Sequence, residues 1–208
     1  MTCRSAGGKG RLRLSYNSPA VLTFVFLCVA VHLVQEFTGD WATVHLFSVY
    51  GSSLLDPLAW FRLFGHALGH GNWSHLLNNM MFLLILGPMI EEKYGTSNTV
   101  FVMAATALVT GIVNMIFFPH VRTLGASGIV FAFILLASIT GGEDRTVPLT
   151  FILVAVLYIG EQLYTALTVR DSISQISHIA GGLVGSVLGF VMKRLGMNGY
   201  GARRRSKA

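Results

Sequence analysis

Apolar residues fall along the chain in six blocks separated by short polar stretches: about 19–36, 75–91, 97–117, 127–141, 148–167 and 176–194. The first is carried by "SPAVLTFVFLCVAVHLVQ" and the second by "HLLNNMMFLLILGPMIE". Several blocks approach the roughly 20 residues that carry a helix across a bilayer core. Short alternating strands, the mark of a membrane barrel, are absent. The pattern predicts an all-α polytopic membrane protein with six transmembrane helices. One long connection, 37–74, lies outside the blocks and carries Trp41, Trp60, Phe61 and Trp73. Aromatic residues of this kind settle at the headgroup level. Short helices lying partly in the interface are expected there, as a substrate platform or as a cap on the bundle.

Composition narrows the class. The chain has 208 residues, 53% hydrophobic and only 12% charged, with mean hydropathy +0.63. A soluble domain carries about 25% charged residues. One compact bundle over 19–194 is expected, flanked by basic tails at 1–18 and 195–208, with no second soluble domain. The pI near 9.7 raises nucleic acid as a partner. The location of the charge excludes it: "RSAGGKGRLRLS" and "KRLGMNGYGARRRSKA" flank apolar blocks, a placement suited to anionic lipid headgroups. The lipid bilayer is the expected partner, not nucleic acid.

Charge also sets the orientation. Six crossings put both termini on one side. That side then holds Arg4, Lys9, Arg11, Arg13, Lys93, Arg145, Lys193, Arg194, Arg203, Arg204, Arg205 and Lys207, leaving Arg62, Arg122 and Arg170 outside. The positive-inside bias places both termini in the cytoplasm. The first block is longer than a signal-peptide core and lacks a small-x-small exit, so it is read as a retained span. The short tails, with no obvious transit peptide, favour a bacterial cytoplasmic membrane. Cys3 and Cys28 make neither a disulfide framework nor a metal spacing.

Polar groups inside a membrane are costly and face the bundle interior. Three sets stand out: His75, Asn78 and Asn79 at the head of the second block, Ser127 at the head of the fourth, and His178 at the head of the sixth. With the orientation above, all lie at the outer end of their spans and can meet in one layer. The run from Ser127 to Gly141 is about 22 Å long as a helix, short of the roughly 30 Å hydrocarbon core. Its start therefore lies below the outer surface, and the non-helical "VRTLGAS" must dip in beside protein or water. Gly125 and Gly128 suit a tight turn there, and the helix start offers unpaired N–H groups.

A serine hydroxyl needs a base to become a nucleophile, and His178 is the candidate. Gly181, Gly185 and Gly189 follow it as a small-x-x-x-small stripe that permits close helix contact and would bring the imidazole to Ser127. His75 and Asn79, four apart, share a helix face. With the Ser127 N–H they supply donors for an oxyanion. Each feature has a plainer reading alone: a serine bonded to its own backbone, a glycine stripe that only packs, an asparagine as interhelical glue, a histidine as a polar cap. Their joint placement at one depth on three helices favours a Ser–His dyad. No acid follows as a third member; nothing ties Asp171 to His178. His66 and His70 are four apart, but without H-E-x-x-H a zinc protease of that type lacks its base; hydrogen bonding within the loop is preferred, and no metal is expected.

With these residues in place the chain resembles the rhomboid family of intramembrane serine proteases. "GASG" at 125–128 resembles the family's G-x-S-G, with Ser127 as nucleophile. "HIAG" at 178–181 resembles its H-x-x-G, with His178 as base and Gly181 at the helix contact. "HALGHGNWSHLLNN" at 66–79 resembles its H-A-x-x-H-x-x-x-x-H-x-x-x-N stretch. There His75 and Asn79 match the oxyanion pair, and His66 and His70 match structural histidines. Arg62 matches the arginine of the W-R motif, although Trp60 and Phe61 split the pair. "GPMIEEKYG" at 87–95 resembles G-x-x-x-E-x-x-x-G, with Glu91 as the structural acid. Where the family often stacks a tyrosine on the catalytic histidine, this chain has Phe131. The resemblance covers about 19–194.

The resemblance implies an intramembrane serine endopeptidase that cuts transmembrane segments of other membrane proteins near the outer boundary, with no cofactor. Inactive relatives lack the serine or the histidine; this chain keeps both. A non-proteolytic client-binding protein of the same fold, or a small transporter lined by Asn and His, is the alternative. Substrate identity and oligomeric state are not set by the sequence.

Overall fold

The computed structural model describes residues 16–140, 147–168 and 173–195. These form eight helices: α1 (Pro19–Thr38), α2 (Trp41–His45), α3 (Pro57–Gly65), α4 (Trp73–Tyr94), α5 (Thr96–Phe117), α6 (Ser127–Thr140), α7 (Leu149–Thr168) and α8 (Ile173–Arg194). Among the described residues, the only strand-like pairing is an isolated antiparallel bridge between Val49 and Thr123.

The helix starts follow local chemistry. Proline occupies the first turn of α1 and α3, where its missing N–H costs nothing. Asp56 caps α3 by accepting from the Leu58 N–H at 3.0 Å. Asn72 caps α4 by accepting from the His75 N–H at 2.8 Å. That cap starts α4 at Trp73, two residues before the expected 75, and the helix runs on to Tyr94 rather than 91. Gly95, at φ 83°, separates α4 from α5, a conformation that favours glycine.

The six apolar blocks coincide in order with α1, α4, α5, α6, α7 and α8. Four helices within the described residues are long and apolar enough to cross a membrane: those over Pro19–Thr38, Trp73–Tyr94, Thr96–Phe117 and Ile176–Arg194. The apolar stretches Ser127–Ile139 and Leu149–Gly160 are shorter, so length alone does not carry the count to six. The connection between α1 and α4 holds the two short helices α2 and α3. Its Trp41, Trp60 and Phe61 are exposed.

The bundle is built around α6. Ala132, Phe133, Leu136 and Ile139 are fully buried, and α4, α5, α7 and α8 all pack on it, α8 most extensively. A helix apolar all round sits in the middle of a bundle. The outer faces are apolar too: Phe26, Leu33, Met81, Ile85, Phe101, Leu157 and Leu183 are all exposed. A soluble monomer does not carry apolar surface on this scale; in a bilayer, lipid tails cover it. The protein is a multi-pass helical membrane protein. Arg145, Arg170, Asp171, most of the N-terminal basic tail and the C-terminal tail beyond Leu195 lie outside the described residues.

Candidate active site

The glycines of α8 face α6. A Cβ at Gly181 would overlap the Gly128 carbonyl, one at Gly185 the Ala132 backbone, and one at Gly189 would lie 2.9 Å from Leu136 and Ile139 side-chain carbons. At Gly181 and Gly185 α8 lies backbone to backbone on α6, and at Gly189 it packs on α6 side chains. His178, one turn before Gly181, is thereby brought to the head of α6. Its Nε2 lies 2.9 Å from Ser127 Oγ. The Phe131 ring packs against the imidazole with centroids 4.5 Å apart, and against Tyr158 of α7 at 4.4 Å.

Ser127 begins a helix of 14 residues, about 21 Å long, shorter than a hydrocarbon core. Its first helical bond runs from the Val130 N–H to the Ala126 carbonyl at 3.0 Å. The N–H groups of Ser127 and Gly128 therefore stand ahead of the ladder. Gly125 has φ 123°, and a Cβ there would lie 2.7 Å from His75 Cε1 and 2.8 Å from Nε2. Glycine at 125 thus answers two demands: left-handed backbone and room for the imidazole.

His75 reaches the turn from α4. The Gly71 N–H approaches its Nδ1 at 3.5 Å, which leaves the ring proton on Nε2, the nitrogen facing Gly125. Asn79, one turn on, is buried. Its amide donates to the His75 carbonyl at 3.1 Å, so one of its two N–H groups stays on its own helix rather than reaching across the bundle. Ser127, His178, Phe131, Gly125, His75 and Asn79 line one cavity of about 700 Å³. Its walls also include His66, Thr110 and the apolar Phe82, Ile134, Val154 and Leu157.

The remaining candidates support the frame. Arg62 is buried; its Nε donates to the His45 carbonyl at 2.8 Å, Nη1 reaches Asp56 at 3.2 Å, and its guanidinium lies 4.8 Å from the Tyr50 ring centroid. It binds α3 to the end of α2. His66 donates from Nδ1 to the Arg62 carbonyl at 3.1 Å and accepts at Nε2 from the Thr110 hydroxyl at 3.3 Å. Its own carbonyl accepts from the Gly125 N–H at 2.9 Å. His70 donates from Nδ1 to the Leu68 carbonyl at 3.1 Å and sets its ring against His75, centroids 5.1 Å apart. Burial pushes the pKa of both His66 and His70 down to about 4, the His75 imidazole adding to the effect at His70. Both are neutral loop histidines. Among the described residues no cluster of three or more His, Cys, Asp or Glu is placed to hold a metal ion.

Glu91 acts at the opposite end of the bundle. Its carboxylate accepts from the Ala20 and Val21 N–H groups at 2.9 and 3.1 Å and from the Thr96 hydroxyl at 2.8 Å. It caps α1 from α4. Sequence reasoning did not single out Tyr158 or Thr110, both of which line the cavity. No local motif marks them; they reach the site only through helix packing.

The Rhomboid domain family model matches residues 57–195, the stretch that holds every element of this cavity. The chain belongs to the rhomboid family. This rhomboid is 28% identical over 181 residues to the rhomboid protease GlpG of Yersinia pestis (strain Pestoides F) and of Yersinia pseudotuberculosis serotype O:3. It is 26% identical over 180 residues to GlpG of Yersinia enterocolitica serotype O:8. Each alignment covers 85% of this chain and 63% of the relative. The rhomboid thus spans under two thirds of the length of the curated relatives it matches.

Proposed function

We propose that this rhomboid is an intramembrane serine endopeptidase, with Ser127 as nucleophile and His178 as its base. The observation that carries the reading is the 2.9 Å approach of His178 Nε2 to Ser127 Oγ, at the head of a short helix, on the wall of a cavity also lined by His75 and Asn79. With the imidazole proton on Nδ1, Nε2 takes the hydroxyl proton as Oγ attacks a peptide carbonyl. The developing oxyanion meets the Ser127 N–H, the His75 Nε2–H and the remaining Asn79 amide N–H. His178 then protonates the leaving amine. Water enters, loses a proton to the same imidazole and releases the acyl group. Gly125, Gly128 and Gly181 shape the turn and the helix contact; Phe131 steadies the imidazole; Arg62, His66, His70 and Glu91 hold the frame. No metal or cofactor takes part in these steps.

The substrate is the transmembrane segment of another membrane protein, cut near the outer boundary. That segment must unwind first, because a helical carbonyl is already bonded and shielded. The chain crosses six times, α6 and α7 included, with both basic tails in the cytoplasm of a bacterial cell. The GlpG proteins it matches are named proteases, which supports the reading. The test is the purified protein with a reporter transmembrane substrate and a fluorophosphonate probe. Cleavage and labelling are expected in the wild type and absent in both Ser127→Ala and His178→Ala. A wild type that neither cleaves a permissive substrate nor labels returns the protein to the client-binding class. A transport activity that survives Ser127→Ala would make it a transporter.

A further inference from the structure

We propose that Asn114 is a positioning residue for Ser127, an inference that rests on the protease reading above. Asn114 lies near the end of α5 and is fully buried. Its amide donates to the Val49 carbonyl at 3.0 Å and to the Val121 carbonyl at 3.1 Å, and its Oδ1 accepts from the Thr123 hydroxyl at 2.6 Å. The partners fix the orientation of the amide, since carbonyls only accept and the hydroxyl has a proton to give. These three side-chain bonds run to two loop segments rather than to α5.

Those segments are the two halves of the antiparallel bridge. Val49 and Thr123 exchange backbone bonds at 2.9 and 3.0 Å, and Gly51 N–H meets the Pro119 carbonyl at 2.8 Å. Asn114 thus clamps the outer loop and the approach to Ser127 together. Thr123 is two residues before Gly125 and four before Ser127. Beyond the clamp, Gly125 N–H is tied to the His66 carbonyl at 2.9 Å.

This matters because α6 starts as it does. The backbone ahead of Ser127 is not helical, so no i→i−4 ladder fixes it from the N-terminal side. Its position comes from tethers to other elements. A proton hand-off from Oγ to Nε2 needs the two atoms in near-attack geometry, and a displacement of about 1 Å costs roughly 100-fold in rate. An apolar residue at 114 would leave the Val121 carbonyl and the Thr123 hydroxyl without the partner they have now, and the turn would sample other positions.

The experiment compares wild type, Asn114→Leu, Asn114→Asp, Thr123→Val and the Asn114→Leu/Thr123→Val pair. It reads kcat and KM on the reporter substrate, the fluorophosphonate labelling rate, and hydrogen exchange of the amides between 119 and 126. In Asn114→Leu, kcat and labelling are expected to fall together by about tenfold or more, with KM held and exchange faster in the turn. Thr123→Val loses less, and adding it to Asn114→Leu costs little further, because the bond is already gone. Asn114→Asp, which keeps the acceptor for Thr123, recovers part of the rate. Wild-type kcat and labelling in Asn114→Leu overturn the proposal; so does a raised KM at unchanged kcat, which would mark a substrate contact. If Asn114→Leu does not fold, Thr123→Val decides, and unchanged kcat, labelling and exchange there overturn it. Failure of the protease reading is separate: the wild type then neither cleaves nor labels. Exchange in the turn still reads the clamp in that case, and unchanged exchange in every variant overturns it.

Discussion

Gly181 of α8 lies so close to Gly128 of α6 that a side chain at 181 would overlap the Gly128 carbonyl. The obstacle is backbone, which cannot swing aside. A Gly181→Val substitution therefore has to push α8 away from α6 and carry His178 with it. The expected result is loss of fluorophosphonate labelling by about 100-fold or more, with folding stability lowered by roughly 1–3 kcal/mol from overpacking. The neighbouring Gly182 is the control. A Cβ there meets side-chain atoms of Tyr158 at 3.0 Å and Leu135 at 3.1 Å, which can shift, so Gly182→Ala keeps most of the labelling. Equal tolerance at both positions would show that the helix contact does not set the approach of His178 to Ser127.

The two glycines flanking Ala126 and Ser127 differ in what a side chain would meet. Gly125→Ala places a non-glycine residue at φ 123° and a Cβ 2.7 Å from the His75 ring. The backbone term alone costs on the order of 1–3 kcal/mol, and the collision displaces the imidazole from the turn. Gly128→Ala meets one methyl of Thr110 at 3.0 Å and has ordinary helical backbone. Labelling and cleavage are expected to collapse in the first variant and to fall only modestly in the second. The reverse order would move the tight position from 125 to 128.

These two cases also mark what was legible in the chain. Gly125 and Gly181 could be read because their meaning is local: a turn before a short helix, and a stripe four residues apart. Ser127 and His178 stood out as polar groups at one depth in apolar blocks. The apolar pattern places the second block at about 75–91, and the Asn72 cap starts α4 at Trp73. The direction of the Asn79 amide was not legible, since an intrahelical carbonyl competes with partners across the bundle. Asn114 and Tyr158 were invisible for a different reason. One of Asn114's three partners, Val49, is 65 residues away, and Tyr158 meets Phe131 from another helix. No pattern along the sequence encodes such a meeting.

The buried loop histidines predict a pH dependence of stability. His66 and His70 have pKa values pushed down to about 4 from an ordinary 6.5. Their neutral forms belong to the folded state, whereas the unfolded chain takes up protons near 6.5. Between these values the unfolded state binds more protons, so stability rises with pH. It should be full above about 6.5, fall progressively as the pH drops towards 4, and level off below, with a slope up to the order of 1 kcal/mol per pH unit for each histidine. Thermal unfolding of the purified protein in detergent, scanned from pH 4 to 8, measures it. His70→Asn should remove one histidine's share of the slope. A flat profile across that window would mean that these rings are not held neutral.

The ring beside Ser127 and His178 is Phe131. Phe131 stands one turn after Ser127 and packs on both His178 and Tyr158, with centroids 4.5 and 4.4 Å away. Under the protease proposal these contacts limit how the imidazole tilts and hold Nε2 towards Ser127. Aromatic pairs of this kind contribute about 0.5–1.5 kcal/mol beyond burial, and each 1.4 kcal/mol is tenfold in rate. Phe131→Ala should therefore lower kcat by roughly 2- to 10-fold while the Ser127 and His178 atoms remain present. Phe131→Tyr keeps the ring and adds a hydroxyl, so its kcat should stay within about threefold of wild type if ring contact is what matters. Steady-state cleavage of the reporter substrate distinguishes the outcomes. A Phe131→Ala variant as fast as wild type would assign the imidazole's orientation to its other neighbours. A Phe131→Tyr variant slower than Phe131→Ala would mean that the wall between α6 and α7 has no room for the phenol, and that phenylalanine is required at 131 for its size.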